Sequence, residues 1–328
     1  MQKYKIEEVV QALLADELVA LPTETVYGLA ANALSPTAVQ KIFDVKGRPL
    51  IDPLIVHTHN VSAVEKLSVV PEIAYKLAEI FWPGPLTLVL QKTDLIPGIV
   101  TANLPSVGIR LPKHPIFREI LIASNLPLAA PSANPFGYLS PTEAQHVEKT
   151  LGKKIKYIID GGPCTIGLES TILNILNPDD PEILRPGPIT AEDLEYVFGF
   201  RPRYTLRSAH KGSQISPGLL ESHYSPHTPL KTFKSFSEIE PVEKMQEMSA
   251  IVFLKRPTTI RNSDKVKIFW LSEKGDLNEV SRNLFSLLEK LDNQELKDIF
   301  IELPKKKGLG IAICNRLERA AQRNKSVE

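Results

Sequence analysis

The sequence predicts an α/β protein of two domains, and three observations carry that prediction. Its 328 residues exceed the usual size of a single domain. Short apolar runs ending at Pro or Gly alternate with stretches of helical apolar spacing, the pattern of strands joined by crossover helices. The alternation stops over 201–229, where Arg and Lys mix with Pro, Ser and Gly, and then resumes. The reading is a larger domain over 1–200, an interdomain linker over 201–229 and a small α/β domain over 230–328.

Each element has its own signal. Ile6, Val9, Val10, Leu13 and Leu14 share one helical face, and the apolar run 18–21 reads as a buried strand ended by Pro22. Ser35-Pro36 is a cap and first-turn signal for a helix carrying Val39, Ile42 and Phe43 inward, and 54–56 is the next strand. Ile73, Leu77, Ile80 and Phe81 mark another helix, which Trp82-Pro83-Gly84-Pro85 must end; 86–90 then reads as a strand buried on both faces. A strand over 107–111, a helix over 115–123 and a strand over 128–130 follow. Ser140-Pro141-Thr142-Glu143 reads as a capping-box helix start with Ser140 as N-cap. Strands are expected at 157–160, 170–175 and 182–184. In the second domain, strands are expected at 250–254, 266–271 and 298–303, a helix capped by Asp276, and a last helix over 311–322.

Composition narrows the function. Lys plus Arg (39) nearly cancel Asp plus Glu (38), so no global positive field draws the chain to nucleic acid. The two cysteines, Cys164 and Cys314, lack metal-ligand spacing and read as small apolar packing residues of a reducing compartment. No signal peptide and no run of eighteen apolar residues is found, so a cytoplasmic protein without a membrane span is expected.

The densest chemistry lies in 18–57. Lys46 and Arg48, two residues apart and flanked by Gly47 and Pro49, would project to one side of an extended chain and could grip a polyphosphate; a solvated surface loop is the plain alternative. Thr23 and Thr25 sit on a turn after a strand, where hydroxyls either meet a polar ligand or cap their own backbone. His57 ends an apolar strand, as a general base, a polar anchor or a satisfied core residue. Ser132, Asn134 and Ser170 stand near strand ends, and Arg185 closes another strand as either an ion-pair member or a phosphate contact. There is no Walker lysine loop, and Gly308-Leu309-Gly310 is too short for a dinucleotide fingerprint, so it reads as a turn before the last helix. No Ser-His-Asp or Cys-His nucleophile arrangement and no metal-ligand spacing appear. Spacing alone gives a nucleotide or phosphate binder.

With these residues assembled, the chain strongly resembles the YrdC-domain family, in particular its two-domain members. The likeness runs through Pro22-Thr23-Glu24-Thr25-Val26-Tyr27-Gly28-Leu29, Lys46-Gly47-Arg48-Pro49, Pro53-Leu54-Ile55-Val56-His57, Trp82-Pro83-Gly84-Pro85-Leu86-Thr87, Ala130-Pro131-Ser132-Ala133-Asn134, Gly167-Leu168-Glu169-Ser170-Thr171 and Arg185-Pro186-Gly187. Ser216-Pro217-Gly218 and His223-Tyr224-Ser225-Pro226 resemble the segment that marks the two-domain members, with Ser225 where Ala is more usual. The resemblance implies a twisted mixed-sheet domain with a concave site and a small three-layer, Rossmann-like α/β domain. It implies conversion of L-threonine, bicarbonate or CO2, and ATP to threonylcarbamoyl-AMP and pyrophosphate. A separate transferase complex would move the product onto the adenosine beside the anticodon in tRNAs reading codons that begin with A. By the same resemblance Thr23, Thr25, His57, Arg110 and Ser170 would hold threonine. Lys46, Arg48, Ser106, Ser132, Asn134, Ser140 and Arg185 would surround ATP, with Asp52, where some relatives carry Asn, as a further member and Tyr224 of the linker closing over the nucleotide. Lys46 and Arg48 would act in catalysis, and Mg2+ would arrive with ATP rather than in a protein-built site. Two other readings stand beside this one: an RNA-binding protein without catalysis, using the concave face and Arg201, Arg203, Arg207 and Lys211 on phosphates, and a carbamoyl-transfer enzyme, against which the missing zinc-finger cysteines weigh.

Overall fold

The computed structural model describes residues 5–205, 224–239, 247–258, 260 and 262–322. The chain divides into two compact units, the first of Met1–Phe136, Ser140–Thr165 and Glu169–Leu220, the second of Gly137–Leu139, Ile166–Leu168 and Glu221–Glu328.

In the first unit, α1 (Ile6–Leu14) leads into β1 (Val19–Leu21), which pairs antiparallel with β2 (Gly28–Asn32). Then come α2 (Pro36–Lys46), β3 (Ile55–His57), α3 (Val61–Leu67), β4 (Ser68–Val69), α4 (Glu72–Phe81) and β5 (Leu86–Lys92). They are followed by β6 (Ser106–Arg110), α5 (Pro115–Ser124), β7 (Leu128–Ala129), α6 (Ala144–Leu151), β8 (Tyr157–Ile158), β9 (Thr171–Asn174), β10 (Glu182–Arg185), α7 (Ala191–Phe198) and β11 (Arg203–Tyr204). The strands form one mixed sheet in the order β11-β10-β9-β5-β6-β3-β7-β2-β1-β8, with β4 beside β5. Parallel pairs such as β3 with β6 and β5 with β9 alternate with antiparallel ones such as β5 with β6 and β3 with β7.

Period-two alternation sorts the strand residues between two faces. On one face Ala20, Leu29, Val56, Leu88 and Ile109 join a core built with α2, α3, α4, α6 and α7. On the other, Val19, Leu21 and Ala30 pack with Phe117 and Leu121 of α5 and Val9 and Leu13 of α1. Further along this second face the apolar cluster shrinks to Ile55, Val89, Ile172 and Leu184. The alternation places Thr87, Ser106, His57 and Arg110 on that same stretch, and a small cavity there is lined by Ile55, Thr87, Val89, Thr101, Ser106 and Gly108. Polar residues on a strand face beside a cavity are what positions the site.

The second unit is a parallel sheet in the order β12 (Leu230–Phe233), β15 (Ile299–Glu302), β13 (Ser249–Lys255), β14 (Val266–Ser272). The helices α8 (Leu277–Asp292) and α9 (Leu309–Gln322) contribute Leu284, Leu288, Ile313 and Leu317 to a core with Val252, Leu271 and Ile301. Asp276 caps α8 as expected, its carboxylate accepting from the amides of Asn278 and Glu279. Both cysteines are free and buried, and burial pushes the Cys164 thiol up to about 12.

Several elements differ from the sequence reading. The strands β2, β4 and β12 were not expected; in Gly28-Leu29-Ala30-Ala31-Asn32 all but Leu29 are residues of low intrinsic strand preference, and pairing with β1 and β7 decides the matter. Arg203 and Tyr204, assigned to the linker, form β11 parallel to β10; the rest of that assignment over 206–223 lies outside the described residues. Among the described residues no helix is long and apolar enough to cross a membrane.

Candidate functional site

Two groups of buried polar side chains make up the candidate site. The first is built on the turn after β1. The hydroxyl of Thr23 accepts from the amides of Thr25 (3.0 Å) and Val26 (3.1 Å) and donates its one proton to the Val26 carbonyl at 2.6 Å. Of the two hydroxyls 2.7 Å apart, Thr25 is therefore the donor to Thr23. Thr23 thus caps its own turn, the plainer of its two expected roles, while the Thr25 oxygen faces Arg110.

Arg110 ends β6, in register with His57 of β3. Its Nε donates to the Gly84 carbonyl at 3.1 Å, one terminal nitrogen to the Thr25 hydroxyl at 3.0 Å and the other to Glu24 Oε1 at 2.5 Å. Glu24 Oε2 accepts from the Lys113 amide at 3.0 Å. Burial alone would raise the Glu24 carboxyl, but the charge and hydrogen bond of Arg110 outweigh it and hold the group below its ordinary value. Three of the five guanidinium N–H groups are thereby engaged, leaving one on each terminal nitrogen for an anion. His57 is buried, stacked on Phe117 with ring centroids 5.3 Å apart, and its Nδ1 has no protein partner. Burial, reinforced by the positive charge of Arg110, pushes the imidazole down to about 3, so the ring is neutral at physiological pH.

The second group gathers cations. Lys46 is the last residue of α2, and Gly47 turns the chain in the left-handed region at φ 64°. The expected extended Lys46-Gly47-Arg48 segment is therefore not formed, and the two side chains reach different segments. Lys46 Nζ donates to the carbonyls of Ser132 (2.6 Å) and Asn134 (2.5 Å), with the Asn134 side-chain oxygen at 3.4 Å. Burial, and then the charge of Arg48, hold its pKa well below the ordinary lysine value. Arg48 donates to the carbonyls of Asp52 (3.0 Å) and Pro53 (2.8 Å) and pairs with Asp52 Oδ2 at 2.9 Å. Asp52 is fully buried and its Oδ1 has no partner; burial raises its carboxyl despite the opposing charges of Arg48, Lys46 and Arg185.

Arg185, at the end of β10, donates from Nε to the Ser170 carbonyl and from a terminal nitrogen to the Ser170 hydroxyl, both at 3.1 Å. That hydroxyl also lies 2.8 Å from Thr87 of β5. Gly187 permits this packing, because a Cβ there would stand 2.4 Å from the Thr171 amide nitrogen. Ser140 is not the expected N-cap: α6 begins three residues later than that reading requires, with Glu143 at its cap position and no side-chain cap bond, and Ser140 donates to buried Glu169 at 2.5 Å instead. Ser106 opens β6 and is buried, and Ser132 bridges Gly28 of β2.

Every expected site residue except Tyr224 thus falls in the first unit. Tyr224 belongs to the second unit, where its buried ring lies 5.8 Å from Phe285 and 5.1 Å from the Arg316 guanidinium. The motifs Ser216-Pro217-Gly218 and His223, like Arg207 and Lys211, lie outside the described residues. Arg201 and Arg203, expected phosphate contacts in the RNA reading, are engaged with Glu192 and Glu195, and with Asp180 and Glu182. Sequence reasoning missed Glu24, Thr87 and Glu169 as site members. The available signal was a carboxylate standing beside a small polar residue at a strand end, in Thr23-Glu24-Thr25 and in Glu169-Ser170. Among the described residues no group of three or more His, Cys, Asp or Glu is placed to hold a metal ion.

Four buried cations, Lys46, Arg48, Arg110 and Arg185, face three buried carboxylates, Glu24, Asp52 and Glu169. A buried site with more cations than carboxylates, and with two N–H groups of Arg110 left over, suits anionic ligands. The chain matches two sequence profiles: Sua5_yciO_yrdC, described as "Telomere recombination", over residues 11–187, and "Threonylcarbamoyl-AMP synthase, C-terminal domain" over residues 189–322. It is 38% identical over 336 residues to a threonylcarbamoyl-AMP synthase of Pyrococcus abyssi, covering 98% of this chain and 95% of the relative. It is 40% identical over 326 residues to one of Bacillus subtilis, covering 97% and 93%. The crystal structure of P. abyssi Sua5 complexed with L-threonine is similar with a TM-score of 0.89 at 36% identity, covering 98% of this chain and 95% of that one.

Proposed function

Because the chain belongs to the threonylcarbamoyl-AMP synthase family, a family of nucleotidyltransferase enzymes, we propose that it converts L-threonine, bicarbonate or CO2, and ATP to threonylcarbamoyl-AMP and pyrophosphate. The product would be handed to a transferase complex for tRNA modification in the cytoplasm. One observation carries the reading above the others: the likeness to a protein complexed with L-threonine runs through 98% of the chain. The buried cations supply the chemical support.

In this reading Arg110 receives the threonine carboxylate on its two open N–H groups, beside the Thr25 hydroxyl, neutral His57 and Ser170, with Thr23 fixing the turn behind them. Lys46, Arg48, Ser106, Ser132, Asn134, Ser140 and Arg185 surround ATP. Asp52 sits behind Arg48, its carboxylate turned to that cation rather than to phosphate. The threonine amine takes up CO2 as a carbamate. A carbamate oxygen then attacks the α-phosphorus in line as the bond to pyrophosphate breaks, so no enzyme nucleophile is required. Catalysis is positioning and charge stabilisation. Lys46 is suited to this: two of its protons are held by backbone carbonyls, and the third, facing Asn134 Oδ1 at a long 3.4 Å, is the one a phosphate oxygen can take. Magnesium bound to the triphosphate would neutralise part of the same charge, and the described residues suit an ion that the nucleotide carries, because Asp52 is committed to Arg48.

The test is direct. Incubation with labelled threonine, bicarbonate and Mg-ATP should release pyrophosphate in a threonine-dependent manner and form a labelled adenylate. Tight, salt-sensitive RNA binding without that turnover would replace this reading by the RNA-binding one.

A further inference from the structure

We propose that Glu24 is a positioning residue for substrate recognition: it fixes the direction in which the Arg110 guanidinium presents its two open N–H groups, and so sets affinity for the amino-acid carboxylate. The proposal rests on the reading above that Arg110 receives threonine.

The geometry leaves Glu24 little freedom. Its backbone lies inside the turn that Thr23 ties through the amides of Thr25 and Val26. Its side chain is about as buried as that of Arg110, at 5% and 4% residue exposure. One carboxylate oxygen meets Arg110 at 2.5 Å and the other meets the Lys113 amide at 3.0 Å, so both ends of the carboxylate are anchored to the chain at and just beyond the end of β6. Arg110 is in turn held at all three nitrogens, by Gly84, Thr25 and Glu24. Three anchors on a planar group fix both its plane and its rotation within the plane. With Glu24 gone, one terminal nitrogen loses its anchor, and the open N–H pair can rotate away from a bidentate arrangement.

A second effect opposes this one. The Glu24 carboxylate repels an incoming carboxylate. Threonine, however, brings its ammonium within a bond or two of its carboxylate, so the attraction of one group largely cancels the repulsion of the other. Orientation of the guanidinium therefore dominates.

The experiment uses the full-length protein with Glu24→Gln. The amide keeps the shape but has one acceptor oxygen, so either Arg110 or Lys113 faces an N–H group instead. The expected result is a KM for threonine raised about tenfold or more, with kcat at saturating threonine and the KM for ATP each within about threefold of wild type, in a variant whose lowered thermal midpoint still lies above the assay temperature. An unchanged or lowered threonine KM in the folded variant overturns the proposal, as does an equal rise in both KM values. Should Glu24→Gln fail to fold, Glu24→Asp, which keeps two acceptor oxygens on a shorter arm, is read by the same split. Wild-type protein showing neither threonine-dependent pyrophosphate release nor calorimetric threonine binding would instead remove the functional reading itself.

Discussion

Replacing Lys46 by Met separates what this side chain does for the fold from what it does for the reaction. Met approximates the length and volume of the lysine stem, so packing around α2 is kept. The Ser132 and Asn134 carbonyls lose their donor, at about 1–3 kcal/mol for each buried group left unsatisfied. Against that stands the charge itself: burial holds the Lys46 pKa well below its ordinary value, so below the unfolded pKa the native state forgoes a proton or bears the cost of burying it. These effects oppose, and the net change at neutral pH should stay within about 2 kcal/mol. In the proposed reaction there is no such compensation. Losing one preorganised donor at developing charge costs about 3–4 kcal/mol, a fall of 10²–10³ in kcat.

Urea unfolding measured at pH 7 and at pH 9, alongside pyrophosphate release, tests both parts. Because the folded pKa lies below the unfolded one, the unfolded chain binds more protons within that interval, and wild-type stability rises with pH relative to the variant. A stability difference between the two proteins that is the same at both pH values, or a variant keeping a tenth of wild-type turnover, would refute the reasoning.

Two further outcomes follow from the same geometry. His57 is depressed from 6.5 to about 3, so its contribution to stability is complete above pH 6.5 and is lost as the pH falls toward 3, at about 1.4 kcal/mol per pH unit. Urea midpoints of wild type and His57→Asn at pH 7, 6 and 5 should converge on acidification; the comparison cancels the opposite slope from Asp52, and parallel lines would contradict a neutral buried imidazole. Gly187→Ala places a Cβ 2.4 Å from the Thr171 nitrogen and 2.7 Å from the Ser170 carbonyl carbon. Both are backbone atoms, so relief requires β9 to move, and a loss of about 1–3 kcal/mol in thermal stability is expected together with reduced turnover. A wild-type melting curve would show that the close approach is not maintained in solution.

What the sequence showed and what it hid divide along physical lines. Signals carried within one turn of chain were legible: Ser35-Pro36 starts α2 with the Ser35 hydroxyl accepting from the Ala38 amide, and Asp276 caps α8. The mostly apolar run of β5, broken only by Thr87, is buried from Leu86 to Leu90. The left-handed Gly47 carried its own signal too, a glycine directly after a basic last turn, yet alternation arguments about Lys46 and Arg48 passed over it. The short strand β11 has no readable period, because its stability comes from β10. Within the candidate site, Thr25 with Arg110 and Ser170 with Arg185 are joined across the sheet, and no local spacing encodes such pairs. Resemblance supplied those residues as candidates; it supplied neither Glu24 as the partner of Arg110 nor Glu169 as the partner of Ser140.

The strand order has a consequence for how the site comes into being. Leu86 of β5 pairs with Thr171 of β9, and Val19 of β1 pairs with Tyr157 of β8, so neighbours in the sheet are distant along the chain. Loop closure of that reach is slow, and it must precede the contacts that reward it. A chain still emerging from synthesis, with β1 to β6 made but β9 and β10 not yet available, would carry Thr25, Lys46 and Arg110 without Ser170 and Arg185. On the proposed reading the site is therefore completed late, when those strands join, and a ligand that bridges the two groups would serve as a clasp on them.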